Sequence, residues 1–527
     1  MKKIYYKTIG AFMIVAVFSG SCSKGILNKN PTDQLSAGTF FTSANSIGMA
    51  LTGCYGTLQD MIFTTANPIY DCMADNGYNF NNYNSTTTLS QGPITPTSGG
   101  YIDLVYSGSY AKIARYNQFL KTLAAYNQSD LDAGTKSVYE AEVRLMRAMK
   151  YFDLYKFYGS VPLVLEPLTL ADQYQPKADS GKVLAQINAD IDFAIANLPD
   201  VSYASNDGHF VKDAAETLKA RVLLYGGYND DGSARADVMA QAAAVMADII
   251  GKSHYKIAPS FRGLFCNDIG QQNGNPEYIF SVNYLAPNDL PTSFWGWGQA
   301  QVFTADAGSP GGALLPLANF ANEFEFIDGT PFSTSNPLYN PNNVYQNRDP
   351  RMAKTLFSDT TTFENGFFLK ILPSPTGYSY KKHIEGTDAQ NIYGNLNSSD
   401  WPAMRYAEVL LMYAEAENES VGPTPDVYSA INQIRSRADV LMPDLPAGLS
   451  QIQMRAAIRH ERRIELAFEG FRYDDLKRWR IATTVLNMPA SESIISKTFI
   501  QKNYLLPLPQ SEIDINKGVL VQNPDYQ

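Results

Sequence analysis

Apolar residues recur at positions i, i+3, i+4 and i+7 in several parts of the chain, which is the spacing of one face of an α-helix. Two such stripes are Tyr406, Val409, Leu410 and Tyr413, and Ile464, Ala467, Phe468 and Phe471. The same periodicity extends over 136–157, 183–198, 213–224 and 236–250. Short stretches of Gly, Pro or Asn join most of these segments, as expected at turns between elements. Paired helices of this length predict a helical-repeat scaffold.

The pattern changes between residues 255 and 400. Pro, Gly, Asn and aromatic residues replace the helical spacing there, and only short strands such as 278–284 are predicted. We therefore expect a mainly α protein with a loop-rich mixed subdomain before the final helices. The corresponding division is a helical region over 22–254, a loop-rich region over 255–400 and a second helical region over 401–527.

The first residues indicate export from the cytoplasm. Lysines precede a ten-residue apolar stretch over 9–18, which is too short to span a bilayer. Small residues then lead into Cys22, an arrangement that resembles the lipobox of a bacterial lipoprotein. We predict a signal peptide over 1–21 and lipidation of Cys22; the alternative is ordinary signal-peptidase cleavage, with Cys22 incidental.

The remaining cysteines are Cys54, Cys72 and Cys266, and no pair has CxxC spacing. That pattern makes neither a disulfide framework nor a zinc site. We expect buried free thiols, with a Cys54–Cys72 bridge as the alternative.

Charge narrows the classes of ligand. The chain has 527 residues, with 42 Lys and Arg against 52 Asp and Glu, a net charge of −10. This balance argues against binding to nucleic acid, because phosphate contacts require clustered Lys and Arg. Aromatic residues make up 12% of the chain, and 33 Tyr exceed 27 Phe, so many rings carry a polar edge.

Two charge-poor loops contain the candidate binding residues. Segment 76–102 has no charged residue, and its rings Tyr78, Phe80, Tyr83 and Tyr101 alternate with amides and hydroxyls. Segment 284–312 is rich in Gly, Pro and aromatic residues. Aromatic faces pack on the C–H faces of a neutral sugar, and amides bind its hydroxyls. The candidate ligand-binding residues are Asp75, Tyr78, Tyr83, Tyr101, Phe294, Trp295 and Trp297. The alternative for Trp295 and Trp297 is that they cap the core.

Recognisable catalytic motifs are absent from the sequence. The four histidines are scattered, and there is no HExxH, GxGxxG or GxxxxGK[ST]. A glycoside hydrolase using two loop carboxylates remains an alternative, with Asp71, Asp75, Asp103, Asp289 and Asp306 as candidates. Glu461, Glu465 and Glu469 have i, i+4 spacing and alternate with arginines, which predicts a structural ion-pair network. No metal site or cofactor is predicted.

Several ordered blocks resemble the SusD/RagB family of nutrient-binding outer-membrane lipoproteins. The most distinctive are EAEVRLMRAMKYFDLYKFYGSVPL over 140–163, YQNRDPRM over 345–352, RYAEVLLMYAEA over 405–416, INQIRSRA over 431–438 and ERRIELAFEGFRYDDLKRW over 461–479. The Asp75-Asn76 step and the Leu-Pro-x-Pro and Gln-Asn-Pro endings of the tail are also similar to the family. The resemblance extends from Asn30 to Gln527.

This resemblance implies a scaffold of tetratricopeptide-like helix pairs with a looped subdomain packed against it. It also implies a protein that is not an enzyme: a lipid-anchored outer-membrane protein, facing outward, that binds a glycan and delivers it to a SusC-like TonB-dependent β-barrel transporter. Some family members bind peptides, so a peptide-binding or scaffold role is an alternative. The family places its ligand aromatics in variable loops, so the binding residues named above do not follow from the resemblance.

Overall fold

The computed structural model describes residues 41–63, 68–267, 274–284, 314–358, 360–362, 368–370, 375–384 and 399–527. The signal peptide, Cys22, Phe294, Trp295 and Trp297 lie outside the described residues. No helix in the described ranges is long and apolar enough to cross a membrane.

Helices dominate the described structure, and the predicted mainly α fold is confirmed. The N-terminal helices are α1 (Ala44–Tyr55), α2 (Thr86–Gln91), α3 (Tyr101–Ala125), α4 (Ala133–Tyr158), α5 (Ser180–Asn197), α6 (Lys212–Tyr225) and α7 (Ala236–Lys252). Two short helices follow, α8 (Ala318–Glu323) and α9 (Arg351–Thr355). The C-terminal helices are α10 (Tyr406–Ser420), α11 (Pro425–Arg435), α12 (Gln451–Glu465), α13 (Arg472–Arg478), α14 (Ala482–Val485), α15 (Ala490–Ser493) and α16 (Gln510–Ile515).

The long helices pack in chain order, each against the next. Helices α3 to α7 form this series, and α10 continues it by packing on α7 and then on α11 and α12. Local sequence explains where the helices begin and end. The Asp132 side chain accepts a hydrogen bond from Thr135 N at 3.0 Å and caps α4, which ends at Gly159 with φ 69°. Ser450 and Gln453 form a capping box that starts α12.

The strands are short and pair two by two in antiparallel fashion. They are β1 (Gly77–Asn79) with β3 (Leu314–Pro316), β2 (Tyr278–Val282) with β8 (Trp401–Arg405), β4 (Leu356–Phe357) with β7 (Ser379–Tyr380), and β5 (Thr360–Thr362) with β6 (Phe368–Lys370). Each pair joins segments that are distant in sequence except the β5–β6 hairpin and the β4–β7 pair. The mixed subdomain therefore attaches to the helices through β2–β8, since α10 begins directly after β8.

A buried ion-pair network joins the C-terminal helices to this subdomain. Glu465 accepts hydrogen bonds from Arg351, Arg405 and Arg437 at 3.0, 2.8 and 2.7 Å. Burial alone would raise the pKa of Glu465, but these three guanidinium groups outweigh it and hold the pKa well below its usual range. Glu461 and Glu469 belong to the same network, so the predicted structural role of these carboxylates is confirmed.

The prediction of one continuous helix over 464–471 is wrong. Helix α12 ends at Glu465, and Phe468 adopts φ 60°, which a helix does not allow. The Phe468 backbone N–H instead donates to Asp71 Oδ2 at 2.7 Å. The apolar spacing is satisfied without a helix because Ile464, Ala467 and Phe468 are all buried in the turn.

All three cysteines in the described ranges are buried free thiols, as expected. Burial raises the pKa of both Cys54 and Cys72 to about 12, which keeps their thiols protonated and unreactive near neutral pH.

Candidate functional site

The β1–β3 pair joins the charge-free segment to the residues that follow the aromatic segment 284–312 in the chain. Tyr78 of the charge-free segment is the register partner of Leu315, and Asn79 is the partner of Leu314. Leu314 is the first described residue after the aromatic segment 284–312, whose other end, Tyr284, follows β2. The strand that follows that segment in the chain therefore pairs with the charge-free segment at a fixed register.

Three aromatic rings of the charge-free segment reach solvent. Phe80 and Tyr83 expose 42% and 37% of their surface, and Tyr78 is half-buried. The rings of Tyr78 and Phe80 lie edge to face, with centroids 6.4 Å apart. We call Tyr78, Phe80 and Tyr83 the aromatic face. Exposed amides and hydroxyls surround it, including Asn81, Asn82 and Thr88.

Side chains of the segment itself hold the aromatic face in place. Asn79 is buried, and its Nδ2 donates to Tyr83 O at 2.9 Å and to Thr86 Oγ1 at 2.5 Å. Thr87 Oγ1 donates to Asn79 O at 2.6 Å. Such short-range bonds let Asn, Ser and Thr replace regular secondary structure. The rings are therefore presented by an ordered turn rather than by a helix or a long strand.

A close backbone contact closes this turn against the start of α3. Gly100 has φ 62°, and a Cβ atom there would lie 2.1 Å from Asn84 O. Only glycine combines this φ with such a close approach. Asn82, Asn84 and Ser85 also have positive φ, at 53°, 53° and 57°. Asn tolerates the left-handed region better than most residues, which accounts for its frequency in this segment.

A buried lysine holds the chain just before the turn. Lys497 Nζ donates to the backbone carbonyls of Cys72, Ala74 and Gly77 at 2.9, 2.5 and 2.8 Å. Burial lowers the pKa of Lys497 to about 8, with Cys72 and Asp75 acting in the opposite sense. Three carbonyls satisfy the three donors of the ammonium group and fix the chain just before β1.

Asp75 and Tyr101 need correction as ligand contacts. The Asp75 carboxylate is buried between two arginines, 2.8 Å from Arg472 Nε and 2.9 Å from Arg463 Nη2. Burial alone would raise the pKa of Asp75, but the two guanidinium groups outweigh it and lower the pKa. Tyr101 is fully buried and packs on Tyr70. Both residues shape the site from inside and neither is open to a ligand in this structure.

The remaining candidates divide between the described and undescribed parts of the chain. Tyr78 and Tyr83 lie on the aromatic face, whereas Phe294, Trp295 and Trp297 lie outside the described residues. Phe80 belongs to the face but is absent from the sequence-based candidates. Its position two residues after Tyr78 was the available signal, because alternate residues of a strand share a face.

The loop carboxylates considered for hydrolysis differ in their accessibility. Asp71 is fully buried, and its pKa is raised by burial to about 6, with a hydrogen bond from Asn76 Nδ2 at 3.1 Å acting in the opposite sense. Asp75 is ion-paired as described above. Asp103 is exposed on α3, and Asp289 and Asp306 lie outside the described residues. Of the candidate carboxylates that the structure describes, the two buried ones, Asp71 and Asp75, are not open to a ligand.

Comparison with known proteins places this chain in a family. One family model, described as the SusD family, matches residues 371–526. A second, described as "Starch-binding associating with outer membrane", matches residues 27–224. The chain belongs to the SusD/RagB family.

Relatives match over nearly the whole chain. SusD-like protein P2 of Formosa agariphila is 26% identical over 98% of this chain and 99% of the relative. The crystal structure of a SusD-like carbohydrate binding protein from Bacteroides fragilis is 26% identical, with a TM-score of 0.76, and covers 93% of this chain and 100% of its own. Surface glycan-binding protein A from Bacteroides thetaiotaomicron, solved with laminarihexaose, is 21% identical with a TM-score of 0.69 over 92% and 100% of the two chains. At that identity the last comparison bears on the fold alone.

Proposed function

We propose that this protein captures oligosaccharides by stacking sugar rings on the aromatic face and binding their hydroxyls with neighbouring amides. The observation that carries the proposal is the exposure of Phe80 and Tyr83 in a segment without a single charged side chain. Aromatic rings usually gain stability by being buried. An ordered turn that instead holds two rings in solvent is suited to binding a ligand with an apolar face.

Family relatives support the same class of ligand. The Bacteroides fragilis relative is described as carbohydrate binding, and others are described as binding laminarin or laminarihexaose. By the family resemblance, we propose that the protein is anchored in the outer membrane through lipid at Cys22 and faces outward. It then delivers glycan to a SusC-like TonB-dependent β-barrel transporter. It acts by binding and performs no catalysis.

Isothermal titration calorimetry against neutral oligosaccharides, including laminarihexaose, tests the proposal. We expect the wild type to bind at least one of these oligosaccharides. Phe80→Ala and Tyr83→Ala should each weaken that binding about tenfold, since one stacked ring contributes on the order of 1 kcal/mol. Tyr174→Ala serves as the matched control, because Tyr174 is a half-buried surface tyrosine outside the aromatic face.

Three outcomes would count against the proposal. Binding that Phe80→Ala and Tyr83→Ala leave unchanged would move the site elsewhere. Peptide binding without any glycan binding would favour the peptide-binding alternative. New reducing ends released from a bound glycan would favour a glycoside hydrolase.

A further inference from the structure

A second cleft opens where the end of α4, helix α13 and the C-terminal tail meet. Its volume is about 610 Å³, which falls in the range of small-molecule sites. Each of these elements contributes to its lining: α4 through Tyr158, α13 through Lys477 and the tail through Asn523. The cleft shares no lining residue with the aromatic face, so it is a separate place on the molecule.

The lining of this cleft carries more cationic than acidic side chains. The cationic residues that line it are Lys177, Lys477, Arg478, Arg480 and Lys502. The acidic ones are Asp230 and Asp525. A net positive cleft in a chain of net charge −10 concentrates anions at one place, because the surrounding low-dielectric walls focus the field.

Two of these cations already have partners. Arg478 is held by Glu415 and by Asp475, whose Oδ1 lies 2.9 Å from Arg478 Nε. Arg480 Nη2 lies 2.6 Å from Oδ1 of the exposed Asp230. Apart from these paired groups, the charged lining consists of three lysines and one carboxylate, Asp525, so the excess positive charge comes from the lysines.

The three lysines form no ion pair within the described part of the chain. Lys177 Nζ donates only to Gln522 O at 3.1 Å and Asn523 Oδ1 at 3.2 Å. Lys502 Nζ lies over the ring of Tyr526, 4.5 Å from its centroid. These are neutral partners, and they leave the two ammonium charges uncompensated.

Lys477 is the most informative of the three because its side chain is buried. Nζ donates to Lys156 O at 2.9 Å, its one hydrogen bond within the described residues, and lies 5.5 Å from the Tyr473 ring centroid, although an ammonium group has three donors. Burial lowers the pKa of Lys477 to about 8, with Asp474 acting in the opposite sense. The group still carries most of its charge at pH 7, and the neighbouring Asp474 is already paired with Lys156 at 2.7 Å, which leaves a buried cation that is costly to desolvate. An anion in the cleft would supply a counter-ion.

Tyrosine rings form the walls of the cleft. Tyr155, Tyr225, Tyr504 and Tyr526 all line it. The Arg480 guanidinium lies 4.8 Å from the Tyr504 ring centroid, and Lys502 Nζ lies over Tyr526, so two of the lining cations contact lining rings. Flat aromatic walls add contact area that a bare inorganic ion does not use, and they match the ring of a sugar.

We propose that this cleft binds an acidic saccharide, with the carboxylate or sulfate group at Lys477 and the sugar ring against the tyrosine walls. The proposal is independent of neutral-glycan capture at the aromatic face. Either site can fail its test without affecting the other, because each is tested with its own ligands and its own variants.

Calorimetric titration of the full-length mature protein with tri-galacturonate and with a sulfated disaccharide tests the cleft. Maltotriose is the neutral comparison, and phosphatidylglycerol vesicles separate a lipid headgroup from a sugar as the source of the anion. We expect at least one acidic sugar to bind, more weakly as salt is added. Kd should rise about tenfold in Lys477→Met and in Lys502→Gln.

Two controls keep the test sharp. Lys121→Gln removes an exposed lysine far from the lining and should leave Kd unchanged. Lys502→Gln alters a partly exposed side chain, so it reports on the cleft even if Lys477→Met fails to fold. The proposal is overturned if neither acidic sugar binds, if both variants bind as the wild type does, or if only the vesicles bind.

Discussion

Tyr78 and Leu315 are register partners in the antiparallel β1–β3 pair, although more than two hundred residues separate them. This pairing joins the charge-free segment to β3, the strand that follows segment 284–312 in the chain. The backbone that carries Tyr78 thus has a fixed position in the fold. Preorganisation of this kind lowers the entropic cost of binding, since fewer groups must be ordered when the ligand arrives.

Trp295→Ala and Trp297→Ala are expected to weaken oligosaccharide binding about tenfold while leaving the melting temperature nearly unchanged. The physical reason is that each indole would contribute stacking to the ligand rather than packing to the core. Calorimetry and thermal unfolding on the same samples measure both quantities. A fall of several degrees in melting temperature would instead make the ring a core residue.

Gly100→Ala should destabilise the turn that carries the aromatic face by roughly 1–3 kcal/mol or more, because the new Cβ would collide with Asn84 O. Chemical denaturation gives the free energy of unfolding. Gly99→Ala is the matched control: Gly99 also has positive φ, at 68°, but its nearest atom is Asp103 Oδ2 at 3.6 Å. Equal losses in the two variants would show that backbone conformation alone, and not the contact with Asn84, sets the cost.

Asp75→Asn should cost about 3–5 kcal/mol of stability, because it leaves the buried guanidinium groups of Arg463 and Arg472 without their shared counter-charge. Urea unfolding checks this value. Glu140→Gln removes one partner of a half-exposed ion pair, Glu140–Arg144, and should change stability by less than about 1 kcal/mol. A loss at Asp75 as small as the loss at Glu140 would contradict the structural role assigned to Asp75.

Asp71 predicts a pH dependence of stability. Burial raises its pKa in the folded state to about 6, against 3.8 for an exposed Asp side chain, so the folded protein binds the proton more tightly than the unfolded chain. The resulting stability is fully present below about pH 4 and is lost as the pH rises through about 6. The wild type should therefore lose up to about 3 kcal/mol relative to Asp71→Asn between pH 4 and pH 7.

Denaturation of both proteins at a series of pH values measures this difference, in which groups common to both cancel. A difference that stays constant with pH would mean that Asp71 is ionised in the folded state throughout. A difference of the opposite sign would mean that its hydrogen bonds from Asn76 and Phe468 dominate over burial.

The helices of the scaffold were predictable because their signal is local. Apolar spacing over 136–157 and 213–224 anticipates α4 and α6 to within a few residues at each end. The spacing failed over 464–471, where a buried contact between Phe468 N and Asp71 breaks the helix. Periodicity reports which residues are buried, and it does not report which backbone conformation buries them.

The sequence by itself determined the helical scaffold, the family and the charge-free aromatic segment, since each of these depends on residue types and spacings along the chain. Only the tertiary structure decided which rings of that segment face solvent. It buries Tyr101 against Tyr70 and exposes Phe80, although both Tyr101 and Phe80 are aromatic residues of the same charge-free segment. It also makes Asp75 a buried ion-pair partner instead of a ligand contact, because its arginines come from two helices, α12 and α13, nearly four hundred residues away. Burial and long-range pairing depend on how distant segments pack, and local sequence carries no record of that.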